Sequence, residues 1–250
     1  MKIIIDKTSL EKPQFFFLHI RKSGGETTKS LLYPYYFNLK TPKKNPPSFL
    51  QIDTKYWNAL INTPKVNLGE YNYKRCLFAR EYLYKGDWDS IFSFAFSREP
   101  VDRVVSMFYY LFIKNNTQVV TIARELYKNK RLYLSTSSKF DLFLDWIERT
   151  HLENDIHVVD RVVATHTAPM SGDVFDENDN ILLTKIYRIE NLYSSIDDIY
   201  KHCNLLKNSQ TREKMKNVNK KRRDYRPNQN QLKRIQEIYS KDFNIYENAL

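Results

Sequence analysis

The stretch FFFLHIRKSGGETTKSLL, residues 15–32, limits the possible folds of this 250-residue chain more than any other. Residues 15–20 form a continuous apolar run with one histidine, which is typical of a strand buried on both faces of a parallel sheet. Two adjacent glycines follow. Residues 27–37 then carry apolar side chains at helical intervals, in a helix that Pro34 is expected to end or bend. A strand, a glycine turn and a helix in this order predict the start of an α/β domain.

The same alternation of strands and helices continues along the rest of the chain. Strands are predicted at residues 75–79 (RCLFA), 90–96 (SIFSFAF) and 181–189 (ILLTKIYRI), and helices at residues 101–113, 139–149, 191–205 and 229–243. The proline- and lysine-rich residues 40–47 are expected to form an exposed connection. This order predicts one three-layer, P-loop-like α/β domain over residues 1–250, with a central, mainly parallel sheet flanked by helices.

The glycine pair between the strand and the helix is suited to binding an anion. Backbone N–H groups converge in such a turn, and the helix N-terminus adds a partial positive charge. Lys22 supplies a full charge, and Ser23, Thr27 and Thr28 supply hydroxyl donors. For the glycines alone, a plain tight turn is an equally good interpretation.

A nucleoside-triphosphate P-loop is the first alternative for this turn. Its pattern, G-x-x-x-x-G-K-[ST], needs a lysine directly after the last glycine. If Lys29 and Ser30 served as the terminal pair, Ser23 and Thr28 would occupy the two glycine positions. The pattern therefore fails at both glycines, and the nearest cation, Lys22, precedes the glycine pair.

A second motif, SREPVDRVVSMFYY at residues 97–110, directly follows the predicted strand 90–96. Arg98 stands at the strand end, Pro100 is favoured in a first helical turn, and Arg103 and Ser106 fall in the next turns. An arginine and a serine hydroxyl at such a junction can hold a terminal phosphate. Because ligands bind beyond the carboxyl ends of parallel strands, we expect this motif and the glycine turn to serve one site.

Together, the two motifs resemble those of the sulfotransferases that use 3′-phosphoadenosine 5′-phosphosulfate (PAPS). The similarity is to the carbohydrate branch, which includes the heparan sulfate 2-O- and 6-O-sulfotransferases and bacterial relatives. LHIRKSGGETT is similar to the family phrase H-I-P-K-T-G-G-T-S, and REPVDRVVS to R-D-P-x-x-R-x-x-S. A fainter resemblance runs from His166 to the RIENL of residues 188–192, with Met170 in place of the usual Gln, so the resemblance covers residues 15–243.

The resemblance implies a role for each matching residue. Lys22 would neutralise the charge that develops on the leaving phosphate during sulfuryl transfer. The 5′-phosphate side of PAPS would be bound by Lys22, Ser23, Gly24, Gly25, Thr27 and Thr28, and the 3′-phosphate by Arg98 and Ser106. Arg103 would either reach this phosphate or remain a solvated helix residue. Glu26 departs from the family, and a carboxylate beside an anion is unfavourable unless it points away or pairs with a cation.

Two residues are candidates for the catalytic base. Many family members have a histidine after the second strand, where this chain has the ARE of residues 79–81. Glu81 is therefore the first candidate, since a carboxylate can act as a general base; the alternative is a surface glutamate paired with Arg80. His166 is the second candidate for the base, or a residue that contacts the acceptor.

The charge of the chain indicates anionic partners. Lys and Arg number 40 and Asp and Glu number 29, which gives a net charge of +11. With the resemblance, we expect PAPS as the donor and an anionic glycan as the acceptor. The basic residues 212–226 would either close over the nucleotide or form a solvated surface. The alternatives are a P-loop nucleotide or metabolite kinase and a non-catalytic nucleic-acid-binding protein, although no specific nucleic-acid motif is present.

Cysteine content and hydropathy give the remaining expectations. Cys76 and Cys203 lie far apart and match no metal-ligand spacing, so we expect reduced thiols and no metal. No apolar segment reaches the length of ~20 residues that a spanning helix needs, and the first apolar run is too short for a signal peptide. These features predict a cytoplasmic protein, and the resemblance implies a PAPS-dependent carbohydrate sulfotransferase.

Overall fold

The computed structural model describes residues 14–38, 52–64, 66–114, 135–152, 161–206 and 225–250. In these residues, three parallel strands form a sheet flanked by helices, which confirms the predicted α/β class. The strands are β1 (Phe15–Leu18), β2 (Phe92–Ser97) and β3 (Lys185–Arg188). The α-helices are α1 (Gly25–Leu31), α2 (Trp57–Ile61), α3 (Arg75–Phe78), α4 (Pro100–Phe108), α5 (Thr136–His151), α6 (Arg161–Thr167), α7 (Met170–Val174), α8 (Leu192–His202), α9 (Gln229–Ile238) and α10 (Ser240–Glu247).

The chain divides into two compact units. The first contains residues 1–97, 170–218 and 248–250, and the second contains residues 98–169 and 219–247. The expectation that residues 1–250 form one domain stays a prediction. None of the described helices is long and apolar enough to cross a membrane.

The first unit contains the sheet, in the order β1-β2-β3. Phe17 pairs with Phe94, and Phe96 pairs with Tyr187, in parallel register. These four side chains lie in one buried cluster with residues of α1 and α8. The ring of Phe16 contacts the rings of Tyr84 and Trp88 in a separate set of contacts. Strands buried on both faces read as unbroken apolar runs, which is why β1 and β2 were found from the sequence.

The outer edge of β1 is hydrogen-bonded by two asparagine side chains. Asn58 accepts from the Phe17 N–H through Oδ1 (2.7 Å) and donates from Nδ2 to the Phe15 carbonyl (2.9 Å). Asn62, one helical turn later, accepts from the His19 N–H (2.7 Å) and donates to the Phe17 carbonyl (2.6 Å). The two amides thus supply the donors and acceptors that a neighbouring strand would supply.

The prediction of a strand at residues 75–79 is wrong. These residues form α3, which continues as a π-helical turn, Ala79–Leu83. Arg75 anchors α3 through Asp173: its Nε and Nη2 donate to the two carboxylate oxygens (2.9 and 2.7 Å), and its backbone N–H also donates to Oδ1 (3.1 Å). A short apolar run suits a buried helix as well as a strand, and the edge of β1 that such a strand could have joined is bonded by Asn58 and Asn62.

The other predicted elements are present with changed bounds. Helix α1 ends at Leu31, before the turn that contains Pro34, so it is shorter than the predicted 27–37. Strand β3 begins at Lys185, and Ile181 makes only an isolated bridge to Phe175. The predicted helix 229–243 divides at Tyr239 into α9 and α10. Residues 40–47 and 212–224 lie outside the described residues.

The described part of the second unit is helical. Its buried cluster combines residues of α4, α5 and α9, among them Val104, Phe108, Phe140, Phe143, Ile147, Ile235 and Ile238. Helix α4 begins with Pro100 and is capped by Glu99, whose carboxylate accepts from the N–H groups of Val101 (3.1 Å) and Asp102 (2.7 Å). The cap fixes the start of the helix that carries the REPVDRVVS motif.

Candidate active site

The glycine turn reverses the chain between β1 and α1. Lys22 and Gly24 both have left-handed backbone conformations (φ 69° and 73°), and the Ser23 N–H donates to the Ile20 carbonyl (3.3 Å). Gly24 is the N-cap residue of α1 and has no side chain to bond the N–H groups of the first helical turn. No side chain caps those donors, and anion binding by this turn stays a prediction.

Both glycines are also required by their surroundings. A Cβ on Gly24 would lie 2.1 Å from Cδ1 of Ile189, and a Cβ on Gly25 would lie 1.8 Å from Cδ2 of His19. The His19 ring stacks on Phe17 (6.2 Å between centroids), and its Nδ1 contacts Nη1 of Arg21 (3.3 Å). Packing alone thus explains why no larger side chain fits at either position.

We expect Gly25→Ala to lower the free energy of unfolding by about 1–3 kcal/mol, the usual cost of overpacking. The added methyl group meets a ring that is held on two sides and cannot move freely. Urea unfolding of Gly25→Ala, of His19→Ala and of the double variant His19→Ala/Gly25→Ala measures the coupling free energy between the two positions. The double variant should lose clearly less stability than the sum of the single losses, and strict additivity would contradict the contact.

The hydroxyl groups of the turn differ in their surroundings. Ser23 is buried, and its Oγ has no hydrogen-bond partner in the described residues. Thr28 is also buried, but its Oγ1 donates to the Gly24 carbonyl (3.2 Å) and so contributes to its own helix. Thr27 and Lys22 are half-buried. An orphaned buried hydroxyl is costly without a ligand, so Ser23 favours anion binding over a plain turn.

Glu26 is exposed and paired with a cation. Its side chain is 82% exposed and forms an ion pair with Lys29, with 2.9 Å between Oε1 and Nζ. This arrangement removes the conflict between a carboxylate and a nearby anion. It also engages Lys29, the residue that a P-loop interpretation would need for a phosphate.

A buried charge cluster lies in the first unit next to the turn. Arg21, Arg75 and Asp173 are all buried, and Arg75 forms the bidentate pair with Asp173. Arg21 donates through Nη2 to the Asn62 carbonyl (2.5 Å). Burial, and secondarily the charge of Arg75, lower the pKa of Arg21 to about 10. Sequence reasoning missed this cluster, because Arg75 and Asp173 are 98 residues apart.

The second motif lies in the second unit. Arg98 directly follows β2, and its side chain is 29% exposed and 3.8 Å from Asp102, a weak pair in solvent. Ser106 is buried in α4. Arg103 is neither directed to solvent nor left unpaired for a phosphate, the two arrangements expected from the sequence. It is buried, donates to Asp242 (2.9 Å) and to the Ala168 carbonyl (2.7 Å), and lies over the Tyr239 ring.

The two candidate bases lie in different units and have different surroundings. Glu81, in the first unit, is 37% exposed; it accepts from the Tyr71 hydroxyl (2.8 Å) and lies 3.8 Å from Nη2 of Arg80. The pair with Arg80 that the sequence suggested is therefore present but long. His166, in the second unit, is buried and stacks on Tyr110 (5.2 Å between centroids). Within the described ranges, no group of three or more His, Cys, Asp or Glu could hold a metal ion.

Comparison with known proteins assigns the chain to a family. A model described as the sulfotransferase family matches residues 8–248. This chain therefore belongs to the sulfotransferase family, which implies a PAPS donor and an acceptor. The searches of curated proteins and of solved structures returned no match.

Proposed function

We propose that this protein transfers a sulfuryl group from PAPS to a hydroxyl group of an anionic carbohydrate. The observation that carries the proposal is the family match over residues 8–248. The carbohydrate acceptor rests on the resemblance of the two motifs to the carbohydrate branch and on the net charge of +11, which would attract a polyanion.

The residues of the glycine turn fit the anionic end of such a donor. Ser23 Oγ has no partner in the described part of the chain, the first turn of α1 has no side-chain cap, and Lys22 adds a positive charge. Ser23, Gly24, Gly25, Thr27 and Thr28 would form the 5′-phosphosulfate turn, with Thr28 acting through its hydrogen bond to Gly24. Arg98 and Ser106 would bind the 3′-phosphate.

When bound, PAPS supplies the sulfuryl group and a nucleotide phosphate that leaves. Lys22 would neutralise the charge that develops on the leaving oxygen. Glu81 would take the proton of the acceptor hydroxyl, because it has one carboxylate oxygen without a close donor in the described residues. His166 remains the second candidate for this role.

A thermal-shift comparison of 3′-phosphoadenosine 5′-phosphate (PAP) with ATP plus Mg²⁺ tests the donor. We expect PAP to raise Tm and ATP plus Mg²⁺ to have a smaller effect; stabilisation by ATP plus Mg²⁺ alone would support a kinase instead. Binding of generic RNA that PAP does not inhibit, with steep salt dependence, would support the nucleic-acid alternative.

A labelled donor tests the acceptor. We expect transfer to the anionic polysaccharides heparosan or chondroitin, weaker transfer to neutral dextran, and inhibition by salt. Labelling only of a tyrosine peptide or a small phenol would overturn the carbohydrate assignment.

A cytoplasmic location is also proposed; it is supported by Cys76 and Cys203, which are free thiols.

A further inference from the structure

Tyr71 and Glu81 form a hydrogen-bonded pair in the first unit. The Tyr71 hydroxyl lies 2.8 Å from Oε2 of Glu81 and 3.4 Å from the Tyr82 hydroxyl. The Tyr71 ring packs edge-on against the rings of Phe78 (5.8 Å) and Tyr82 (5.4 Å). These ring contacts fix the direction of the Tyr71 hydroxyl.

Glu81 lies in the π-helical turn Ala79–Leu83. The Tyr84 N–H donates to the Ala79 carbonyl (2.8 Å), five residues back, while Ala79 and Leu83 are buried and anchor the turn. The three residues between them, 80–82, are half-buried. Short π-helical turns are rare and occur frequently at functional sites, so this wide turn is a second observation that singles out Glu81.

The two oxygens of the Glu81 carboxylate are not equivalent. Oε2 accepts the Tyr71 hydroxyl, whereas Oε1 lies 3.8 Å from the Arg80 guanidinium, beyond hydrogen-bond distance. The hydrogen bond to Oε2 restricts the rotation of the carboxylate. Oε1 is then the oxygen that can take a proton.

We propose that Tyr71 is a positioning residue that orients the Glu81 carboxylate, so that Oε1 accepts the proton of the acceptor hydroxyl. This inference rests on the proposed sulfotransferase function and identifies Glu81, not His166, as the base. The acceptor oxygen bonds to sulfur as its proton passes to Oε1. The bond from sulfur to the bridging oxygen breaks, and its electron pair stays on the 5′-phosphate.

Few titratable groups surround Glu81 in the described residues. Tyr71 and Arg80 contact it directly, and Tyr82 contacts Tyr71. Hydrogen bonds, first with Tyr82 and then with Glu81, raise the pKa of Tyr71, so Tyr71 remains a neutral donor at physiological pH. Hydrogen bonds from Asn180, then one from the Asn178 N–H and last the charge of Arg80, lower the pKa of Asp176, so Asp176 is another carboxylate that interacts with Arg80.

Tyr71→Phe tests the inference, because it removes the hydroxyl and keeps the ring contacts. We expect kcat for transfer to heparosan or chondroitin to fall about 10-fold, with the KM for PAPS unchanged, because the base is misoriented while the donor still binds. The matched control is Tyr84→Phe, which removes a buried hydroxyl with no partner among the described residues. It should leave both kcat and KM unchanged.

A double-variant cycle separates positioning from a general structural effect. Glu81→Gln should lower kcat about 10²- to 10³-fold, and adding Tyr71→Phe should cause little further loss because its effect acts through Glu81. PAP binding by calorimetry should be the same in all variants. If PAP binds and transfer occurs but Tyr71→Phe keeps the wild-type kcat, the positioning role is wrong. If PAP does not bind the wild type, the proposed function itself fails.

Discussion

Asp173→Asn is expected to lower the free energy of unfolding by about 3–5 kcal/mol, the usual cost of breaking a buried ion pair. Asp173 accepts three hydrogen bonds from Arg75, two from its guanidinium and one from its backbone N–H. Arg21 is buried beside this pair, and its pKa is lowered by burial and then by the charge of Arg75. Without the carboxylate, two buried guanidinium groups would face each other.

Urea unfolding at neutral pH measures this loss. The matched control is Asp145→Asn, because Asp145 also bonds an arginine, Arg234 (2.6 Å), but is 56% exposed. The control should cost less than about 1 kcal/mol. Replacing both partners, as in Arg75→Met/Asp173→Leu, should recover part of the loss. Equal effects of Asp173→Asn and Asp145→Asn would contradict the importance of the buried pair.

Lys22→Ala is expected to lower kcat by about 10²- to 10³-fold, the usual effect of removing one group that stabilises developing charge. In the proposed reaction, negative charge increases on the leaving phosphate, and Lys22 is the cation of the glycine turn. The substitution keeps a Cβ at a residue with φ of 69°, so the backbone strain is the same in both proteins. Lys22→Gly would relieve that strain and is not a suitable test.

Single-turnover transfer from labelled PAPS measures the chemical step for this variant. Lys29→Ala is the matched control, since the Lys29 ammonium group is paired with Glu26 and lies over the Tyr36 ring. Its kcat should stay within about twofold of the wild type, because Lys29 has no role in the proposed transfer. PAP should still stabilise Lys22→Ala in a thermal-shift assay. An undiminished kcat would remove Lys22 from the proposed mechanism.

Local sequence was sufficient to find the sheet and the glycine turn. The residues of β1, the turn and α1 are consecutive. The apolar run, the two glycines and the helical spacing therefore predict all three elements from one stretch of sequence. The second motif is also one continuous stretch, and the structure shows the role of its Glu99, which caps α4. The resemblance to the sulfotransferases rested on these same two stretches and is confirmed at the level of the family.

Contacts between distant residues were not predictable in this way. Nothing in the run RCLFA distinguishes a strand from a helix, and the decisive partner, Asp173, is far along the chain. Tyr71 and Glu81 are ten residues apart; Tyr71 precedes α3 and Glu81 lies in the π-helical turn after it, so no single helical or strand period relates their side chains. Arg103 fitted a phosphate ligand by position, yet Asp242 engages it in the described structure.

The asparagine pair on the edge of β1 has a consequence for how molecules of this protein meet. An unpaired strand edge is a template on which a second chain can add, and many proteins prevent this with charges or proline. Here Asn58 and Asn62 bond three backbone groups of β1 and the N–H of His19, which directly follows β1, from inside the same molecule. A second chain could pair there only by displacing both amides. This protection therefore does not depend on ionic strength. Charged side chains at the strand edge would protect it less as the salt concentration rises.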